Sequence, residues 1–365
     1  MILEPIDKVS LIERIKAAGN THKIYIMCAG EYGKIVGEYF DLQQVPWEGY
    51  LDNNRNLENT WLNNRIVLRP EHLADKEHAI VIVCHTFCYL EICNQLCCLG
   101  FLEADIWGFK NRFVLDQIIY DMRKPQIYLD RLSLLQNYGK EKKRCFVIGG
   151  GPSITLGDLE KLQNEDTMAT NSIINCFSLI KWRPTFYFIQ DMIFARMIKR
   201  EDKLRWLAKE CKYILCSVKN CLYEYRDYGI ENLFYYYMYD NSYEKVPEFS
   251  DDITKKLYYA STTVYSMLQV AAYMGYHEIY LMGMDLGFVN EKHLDGTIVR
   301  GGAFNNEAEF MKQKEAFVGI YEIDRILLGY QATKKYCDSH GIKIYNATRG
   351  GKLEVFERVA FDSLF

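Results

Sequence analysis

The sequence of 365 residues has no run of 18 apolar residues, so it predicts no helix that crosses a membrane. Its charges nearly balance, with 44 basic and 48 acidic residues and a net charge of −4, so no nucleic acid partner is expected. Its twelve cysteines form no Cys-x-x-Cys pair, which argues against a zinc site. Their scatter through apolar stretches is typical of reduced thiols, and residues 1–20 predict an amphipathic helix where a secretory signal would stand. We therefore expect a cytoplasmic protein.

The first part of the chain alternates between strand and helix patterns. Strands are predicted at 23–30, 47–54, 78–85 and 103–109, and a helix at 31–42 follows the first of them. Such an alternation predicts a parallel, doubly wound sheet.

A second and longer alternation follows a polar, helical stretch at residues 110–140. The predicted fold class is therefore α/β, with two Rossmann-like doubly wound domains and mostly parallel sheets. We expect a small domain at 1–110, a helical connector at 111–143 and a larger nucleotide-binding domain at 144–365. The strands of the larger domain are predicted at 145–149, 166–170, 185–190, 212–217, 232–238, 278–283 and 342–346, with helices at 192–210, 261–275 and 306–340.

A glycine loop opens this second domain. Glycines let a backbone approach a phosphate closely, and a helix that follows offers free N–H groups and partial positive charge. No Lys-Ser or Lys-Thr follows the glycines, and GGGPSI does not match G-x-G-x-x-G, so the loop is not an ATPase P-loop. Its place at the first strand–helix junction favours nucleotide binding over a tight turn without a ligand. The residues expected to bind are Gly149, Gly150, Gly151, Pro152 and Ser153, and Ser153 is also suited to cap the helix.

Polar residues follow the next two predicted strands. Asn171 falls at the carboxyl end of one strand, where its side chain can contact a ribose or a base edge. Asp191 follows the next strand, where it can hold a ribose hydroxyl or bind magnesium through water. Either residue is equally suited to cap the helix that follows it.

Three hydroxyl residues begin a later helix. Ser261, Thr262 and Thr263 exceed what a cap requires, so together with the helix N-terminus they predict an anion site. The helix is expected to end at Gly275, and the strand after it ends at Asp285.

The stretches VIGGGPS, TNSI, RPTFYFIQD and STTVYSMLQVAAYMGYHEIYLMGMD resemble the MptE-like family, named after 6-hydroxymethylpterin diphosphokinases and found in bacterial polysaccharide loci. They are also similar to bacterial lipooligosaccharide sialyltransferases. This resemblance covers about residues 144–350. It implies a Rossmann-like fold and a transferase of surface-glycan biosynthesis, a glycosyltransferase that uses a CMP-activated sugar such as sialic acid without a metal.

The sequence departs from the sialyltransferase pattern at several positions. Gly150 stands where that family has Asn, Tyr259 where it has Arg, and Gly287 where it has Tyr. The family's catalytic histidine precedes the last long helix, and no histidine lies at 306–320. His293 is the nearest histidine in a loop and is, with Asp285, a candidate catalytic base, although a surface histidine is equally consistent with the pattern.

The N-terminal domain resembles the small Rossmann-like domain of sugar-modifying enzymes. Gly30 and Gly33 form a minimal phosphate turn, and Asp52 lies where an acid that binds ribose is expected. A role in structure or partner docking fits the same residues.

Two alternatives to glycosyl transfer stay open. One is an ATP-dependent diphosphokinase, in which Asp191 and Asp285 would hold magnesium. The other is a non-catalytic module for nucleotide binding or assembly. No cofactor is required for the transferase. The expected partners are a nucleotide or nucleotide sugar and a glycan or lipid-linked acceptor, with acceptor contacts at 232–246 and 286–305. Peripheral contact with the inner face of the membrane and a homo-oligomer stay open.

Overall fold

The chain is described from a computed structural model, and it forms two compact units, Met1–Pro125 and Gln126–Phe365. The division falls within the connector predicted at 111–143. The residues that the structure describes are 2–3, 8–84, 88–109, 115, 118, 122, 126–218, 221, 225, 228–239, 246–288, 290–300 and 321–365.

The first unit is a seven-stranded sheet of order β1-β7-β6-β2-β3-β5-β4, in which only the β4–β5 pair is antiparallel. Its central strands are apolar because both faces of the sheet are covered, and all five side chains of β6 are buried. The elements are β1 (Ile2–Leu3), α1 (Lys8–Ala18), β2 (Lys23–Met27), α2 (Glu31–Leu42), β3 (Gly49–Leu51), β4 (Trp61–Leu62), β5 (Arg65–Leu68), β6 (Ala79–Val83), α3 (Tyr89–Cys98) and β7 (Ile106–Phe109).

The second unit is built on an eight-stranded parallel sheet of order β12-β11-β10-β9-β8-β15-β19-β20. The elements of that sheet and its connections are α4 (Gln126–Asp130), β8 (Arg144–Ile148), α5 (Leu156–Lys161), β9 (Asp166–Thr170), β10 (Phe186–Ile189), α6 (Met192–Arg200), α7 (Leu204–Glu210), β11 (Tyr213–Ser217), β12 (Leu233–Tyr236), α8 (Thr263–Tyr273), β15 (Glu278–Met282), α9 (Ile323–Ser339), β19 (Lys343–Asn346) and β20 (Glu357–Arg358).

Two small sheets complete the second unit. One pairs β13 (Met238–Tyr239) with β14 (Leu257–Tyr258) in parallel. In the other, β16 (Asn290–Lys292) lies between β17 (Ile298–Arg300) and β18 (Tyr321–Glu322), and β16 and β17 form a hairpin.

Helix α8 is the most deeply buried helix of the described part of the unit. All side chains from Val264 to Ala271 are buried, which explains why the sequence is apolar on every side of the helix apart from Ser266 and Gln269, whose buried side chains form hydrogen bonds. The helix ends as predicted, because Gly275 adopts a left-handed φ of +80°.

The predicted fold class is confirmed, since both units are α/β with mostly parallel sheets. The helix expected at 192–210 is two helices, because Asp202 adopts a left-handed φ of +50° between α6 and α7. The first part of the helix predicted at 306–340 lies outside the described residues. Residues 321–322 form the short strand β18 instead of helix, and α9 accounts for the rest. All twelve cysteines are free thiols. Within the described ranges, no helix is both long and apolar enough to cross a membrane.

Candidate functional site

The glycine loop lies where the strand order of the second sheet reverses. From the central strand β8 the chain moves to β9, β10, β11 and β12 on one side, and later to β15 on the other side. The loops that follow β8 and β15 therefore diverge from neighbouring strands at the carboxyl edge of the sheet. In open parallel sheets, ligands bind at this kind of crevice.

The two loops of this crevice touch each other. Gly149 N donates to Met282 O at 2.8 Å, and Gly151 N donates to Gly283 O at 3.0 Å. A Cβ at Gly149 would lie 2.6 Å from Gly283 O, and one at Gly151 would lie 1.9 Å from Asp285 Oδ2. Two of the three loop glycines are thus required by close packing within the protein. Gly150, which lies between these two glycines, and Pro152, which follows them, are exposed.

Asp285 bridges the crevice by binding the glycine loop. Its Oδ2 accepts a hydrogen bond from Ser153 Oγ at 2.8 Å and a longer contact from Ser153 N at 3.5 Å. Burial raises the pKa of the Asp285 carboxyl above its ordinary value, and the hydrogen bonds from Ser153 offset part of that rise. The Asp285 carboxylate therefore already accepts a hydrogen bond from Ser153, one of the donors that we expected a phosphate to use.

The helix after the loop is capped by Thr155 rather than Ser153. Thr155 Oγ1 accepts from Asp158 N, and Asp158 Oδ2 accepts from Thr155 N, which is a complete capping box. The guanidinium of Arg349 contacts the buried Asp158 and also binds Asp362 at 3.0 Å. Burial favours a raised pKa for Asp158, but the hydrogen bonds from Arg349 and Thr155 outweigh it and hold the pKa below its usual value. The N-terminus of α5 is thus satisfied by the protein itself.

Asn171 adopts the left-handed conformation at the carboxyl end of β9, next to β8. Its φ is +53°, and its carbonyl oxygen accepts from the buried Tyr187 hydroxyl at 2.6 Å. Its Oδ1 accepts from Thr170 Oγ1 at 3.2 Å, and its Nδ2 has no hydrogen-bond partner among the described residues. Asn171 therefore presents two N–H donors at the edge of the sheet beside the glycine loop.

Asp191 caps α6, because its Oδ1 accepts from Phe194 N at 2.9 Å. It follows β10, whereas Asp285 follows β15, and these strands are three positions apart in the sheet. At about 4.8 Å per strand the separation is about 14 Å, which is too far for both carboxylates to bind one magnesium ion directly. Among the described residues, no group of three His, Cys, Asp or Glu side chains has the geometry of a metal site.

The three hydroxyls at the start of α8 take different roles. Thr262 is the N-cap and accepts from Val264 N at 3.3 Å, while Thr263 is the first helical residue. Ser261 has a left-handed φ of +52°, and its hydroxyl donates to the Glu322 carboxylate. The hydroxyls of Ser261 and Thr262 therefore have hydrogen-bond partners within the protein.

Helix α8 begins close to the glycine loop. The Thr262 side chain lies beside the Tyr330 hydroxyl, which donates to Met284 Sδ at 3.8 Å. Met284 Sδ lies 3.0 Å from the position of a Cβ on Gly149. The start of α8 and the glycine loop are thus joined through two side chains.

One turn into α8, Ser266 contacts the neighbouring strand end. Its Oγ donates to Gln190 Oε1 at 2.7 Å, and Gln190 directly precedes Asp191. The first two turns of α8 therefore lie over the carboxyl ends of β8 to β10. The two turns that were predicted to share a phosphate lie at the same edge of the sheet.

His293 lies in the turn of the β16–β17 hairpin and pairs with Asp324 at the start of α9. Its Nδ1 is 3.1 Å from both carboxylate oxygens of Asp324. Leu294 N also donates to Asp324 Oδ2 at 3.1 Å, so the same carboxylate holds the hairpin turn. With Nδ1–H donated to Asp324, the Nε2 atom of a neutral His293 carries the lone pair that can accept a proton.

A cavity of about 290 Å³ adjoins this hairpin and is lined in part by Lys292, His293, Glu322 and Arg325. Lys292 Nζ lies 3.6 Å from Glu322, which also accepts from the Ser261 hydroxyl. Glu322 therefore connects the hairpin cavity to the start of α8. Residues 240–245, 289 and 301–305, where acceptor contacts were also expected, lie outside the described residues.

The predicted ribose acid of the first unit binds its own backbone. Asp52 Oδ2 accepts from Ala29 N at 2.7 Å, and Oδ1 accepts from Asn54 N at 2.8 Å. A Cβ at Gly33 would lie 1.9 Å from Cys28 O, so this glycine is required for close helix packing. These contacts favour the structural role of Gly33 and Asp52.

Sequence reasoning missed Asp324, Glu322 and Tyr330. No local signal marks them, because their partners lie 31, 61 and 68 residues away in the chain. The capping box at Thr155 and Asp158 was visible, since a hydroxyl residue followed by an acid three positions later predicts it.

No family model matches the sequence, and no curated protein sequence matches it significantly. The MptE-like resemblance therefore stays a prediction. Several solved structures are similar, and those named here are glycosyltransferases. The MAf glycosyltransferase from Magnetospirillum magneticum AMB-1 aligns with 100% of this chain at 13% identity and a TM-score of 0.41, and this chain spans 64% of its length, less than two thirds.

Two Campylobacter jejuni sialyltransferases align with the chain over a shorter part. CstII, solved with the substrate analogue CMP-3FNeuAc, is 19% identical over 60% of this chain and 86% of its own, with a TM-score of 0.37. The monofunctional α-2,3-sialyltransferase Cst-I is 16% identical over 56% of this chain and 75% of its own, with a TM-score of 0.32. These similarities are weak, and no conclusion about the activity of this chain follows from them.

Proposed function

We propose that the second unit is a glycosyltransferase that binds a CMP-activated sugar at the carboxyl edge of its sheet and needs no metal. The observation that supports this most is the junction of the glycine loop and the start of α8 at the reversal point of the strand order. A nucleotide placed there would meet backbone donors from two elements that face one crevice.

Each side of the crevice would contribute to donor binding. The exposed Gly150 amide and the Asn171 side chain would contact the nucleotide on the β8–β9 side. Backbone N–H groups near Thr262 and Thr263 would face its phosphate from the α8 side. Charge that develops on the CMP leaving group would be stabilised by these fixed donors as the glycosidic bond breaks.

We assign the general base to His293. The acceptor hydroxyl would attack the anomeric carbon, its proton would pass to His293 Nε2, and the bond to the CMP oxygen would break with its electron pair leaving on CMP. Asp324 would hold the ring and stabilise the imidazolium that forms. Asp285 is the weaker candidate, because its Oδ2 already accepts from Ser153.

The diphosphokinase alternative is less well supported by the geometry. It requires carboxylates that share a magnesium ion with ATP, and the two candidates follow strands that are three positions apart. The acceptor of the proposed reaction is a glycan or a lipid-linked glycan.

The test is a set of thermal-shift and calorimetric titrations with CMP, CDP, UDP, GDP and ATP, each with and without magnesium. A ligand that binds only the folded state at about a hundred times its Kd stabilises it by about 2.7 kcal/mol. We expect CMP to raise the Tm without magnesium. A shift only with ATP and magnesium would support the kinase instead, and no shift with any nucleotide would overturn the proposal.

A matched pair of variants locates the site. Asn171→Asp keeps the left-handed backbone, removes the two Nδ2 donors and adds a negative charge. The loss of one neutral hydrogen bond alone weakens CMP binding about two- to twelvefold, and repulsion between the new carboxylate and the phosphate should weaken it further. Asn137→Asp makes the same change at another left-handed residue, with φ +60°, close before the amino end of β8. Equal affinities of the two variants would place the nucleotide elsewhere.

A further inference from the structure

The crossover between β10 and β11 carries a cationic surface. Its two helices, α6 and α7, connect neighbouring parallel strands, so they lie on one face of the sheet and their outward sides belong to one layer. Residues 192–210, from the start of α6 to the end of α7, include only three acidic residues, Glu201, Asp202 and Glu210, in a chain whose net charge is −4. The six basic residues of this segment are Arg196, Lys199, Arg200, Lys203, Arg205 and Lys209.

The outward side of α6 has no acidic residue. Phe194, Ala195 and Ile198 are buried, and the exposed residues opposite them are Ile193, Arg196, Lys199 and Arg200. Ile193 is 59% exposed and lies one turn before Arg196 and two turns before Arg200 on the same side of the helix. The apolar side chain of Ile193 therefore lies among cationic side chains.

Helix α7 repeats this arrangement. Leu204 and Leu207 are buried, and the outward residues are Arg205, Trp206 and Lys209. Trp206 is 38% exposed, with its ring 5.7 Å from that of Phe177. Glu201 and Asp202 form the connection between the helices, where Glu201 lies 2.6 Å from Lys203 Nζ and 3.9 Å from the Arg200 guanidinium, and Glu210 pairs with Arg183. The six cations of the segment therefore exceed its acids by three.

We propose that the outward faces of α6 and α7 bind the surface of an anionic lipid bilayer. Cationic residues around a protruding isoleucine and a tryptophan match the two parts of such a surface, the negative headgroups and the apolar interface below them. A nucleic acid would pair with the cations but would leave Ile193 without an apolar partner. Asp191 caps α6 at the carboxyl edge of the sheet, so the bound membrane would lie near the loops of the candidate site.

The experiment is co-sedimentation of the full chain with phosphatidylcholine vesicles, with and without phosphatidylglycerol, at low and high salt. We expect binding only to the vesicles that contain phosphatidylglycerol, and weaker binding at high salt. The Arg196→Gln/Arg200→Gln variant removes two charges at about 1 kcal/mol each, so its affinity should fall about 30-fold. Ile193→Ser keeps every charge and should bind about fivefold more weakly.

The charge-matched control is Lys334→Gln/Lys335→Gln, which removes two exposed lysines from α9 and should bind as the wild type does. Circular dichroism of each variant verifies that the fold is intact. Equal binding to both kinds of vesicle, or an unchanged affinity of Arg196→Gln/Arg200→Gln, would overturn the proposal. So would retention of a single-stranded oligonucleotide through Arg196 and Arg200 without any binding to vesicles.

Discussion

Adding a methyl group at Gly151 is expected to force apart the two loops that meet at the centre of the second sheet. The new Cβ would lie 1.9 Å from Asp285 Oδ2 and 2.5 Å from Gly283 O, where ordinary contacts begin at 3.4 Å. The carboxylate must therefore retreat by about 1.5 Å and the carbonyl by about 0.9 Å. A displacement of this size breaks the bond between Asp285 and Ser153.

The expected cost combines two effects. Overpacking of a close contact costs about 1–3 kcal/mol, and a hydrogen bond to a charged group contributes about 1.5–3 kcal/mol. We expect Gly151→Ala to lower the free energy of unfolding by about 2.5–6 kcal/mol, and the Tm by roughly 5–20 °C, for a unit of this size. Urea denaturation followed by circular dichroism, together with calorimetry, measures both.

Gly157→Ala is the control for this experiment. A Cβ at Gly157 has only Thr155 Oγ1 within 4 Å, at 3.8 Å, and alanine is the better residue inside a helix by about 0.5–1 kcal/mol. The control should therefore be as stable as the wild type or more stable. If Gly151→Ala unfolds like the wild type and loses only nucleotide binding, the glycine serves a ligand and our packing explanation is wrong.

Three further predictions concern charged groups. Burial raises the pKa of Asp285, so its ionised form costs stability as the pH rises above about 4. The free energy of unfolding of Asp285→Asn relative to that of the wild type should therefore increase between pH 4 and 7 in urea melts. A difference between the two proteins that does not change with pH would contradict this. Arg349→Met leaves the buried Asp158 carboxylate without its cation, so we expect a loss of about 1–2 kcal/mol at pH 7 that shrinks as the pH falls below about 4, measured in the same way. Asp324→Asn removes the carboxylate that holds His293, so it should lower kcat roughly tenfold or more while the Kd for CMP is unchanged, since general base catalysis contributes about 10²–10⁴ in rate. An unaffected pH–rate profile would remove His293 from the mechanism.

The strands could be predicted because burial on both faces of a parallel sheet requires continuous apolar sequence. The strand predicted at 166–170 is β9 without a change of boundary, and the helix predicted at 31–42 is α2. The end of α2 has a local cause as well, since Gln44 adopts a left-handed φ of +55° and Val45 N returns to Phe40 O. Local patterns of this kind are visible in a single sequence.

The site could be predicted only in part, because its contacts join distant segments. The carboxyl ends of parallel strands share an edge, so Asn171 and Asp285 were expected near the glycine loop from the order of the elements alone. That Asp285 would bind Ser153, 132 residues away, has no local signature. The glycine pattern is equally consistent with a bound phosphate and with a neighbouring loop, and only the coordinates of Gly283 distinguish the two explanations for Gly151.

Hydrogen–deuterium exchange with and without saturating CMP tests most directly whether a nucleotide binds at the reversal point of the second sheet. We predict slower exchange in two peptides, one covering Gly149–Ser153 and one covering the start of α8 at Thr262, with the rest of the chain unchanged. Protection near Asp52 in the first unit instead, or no protection in either peptide although CMP binds, would contradict the account.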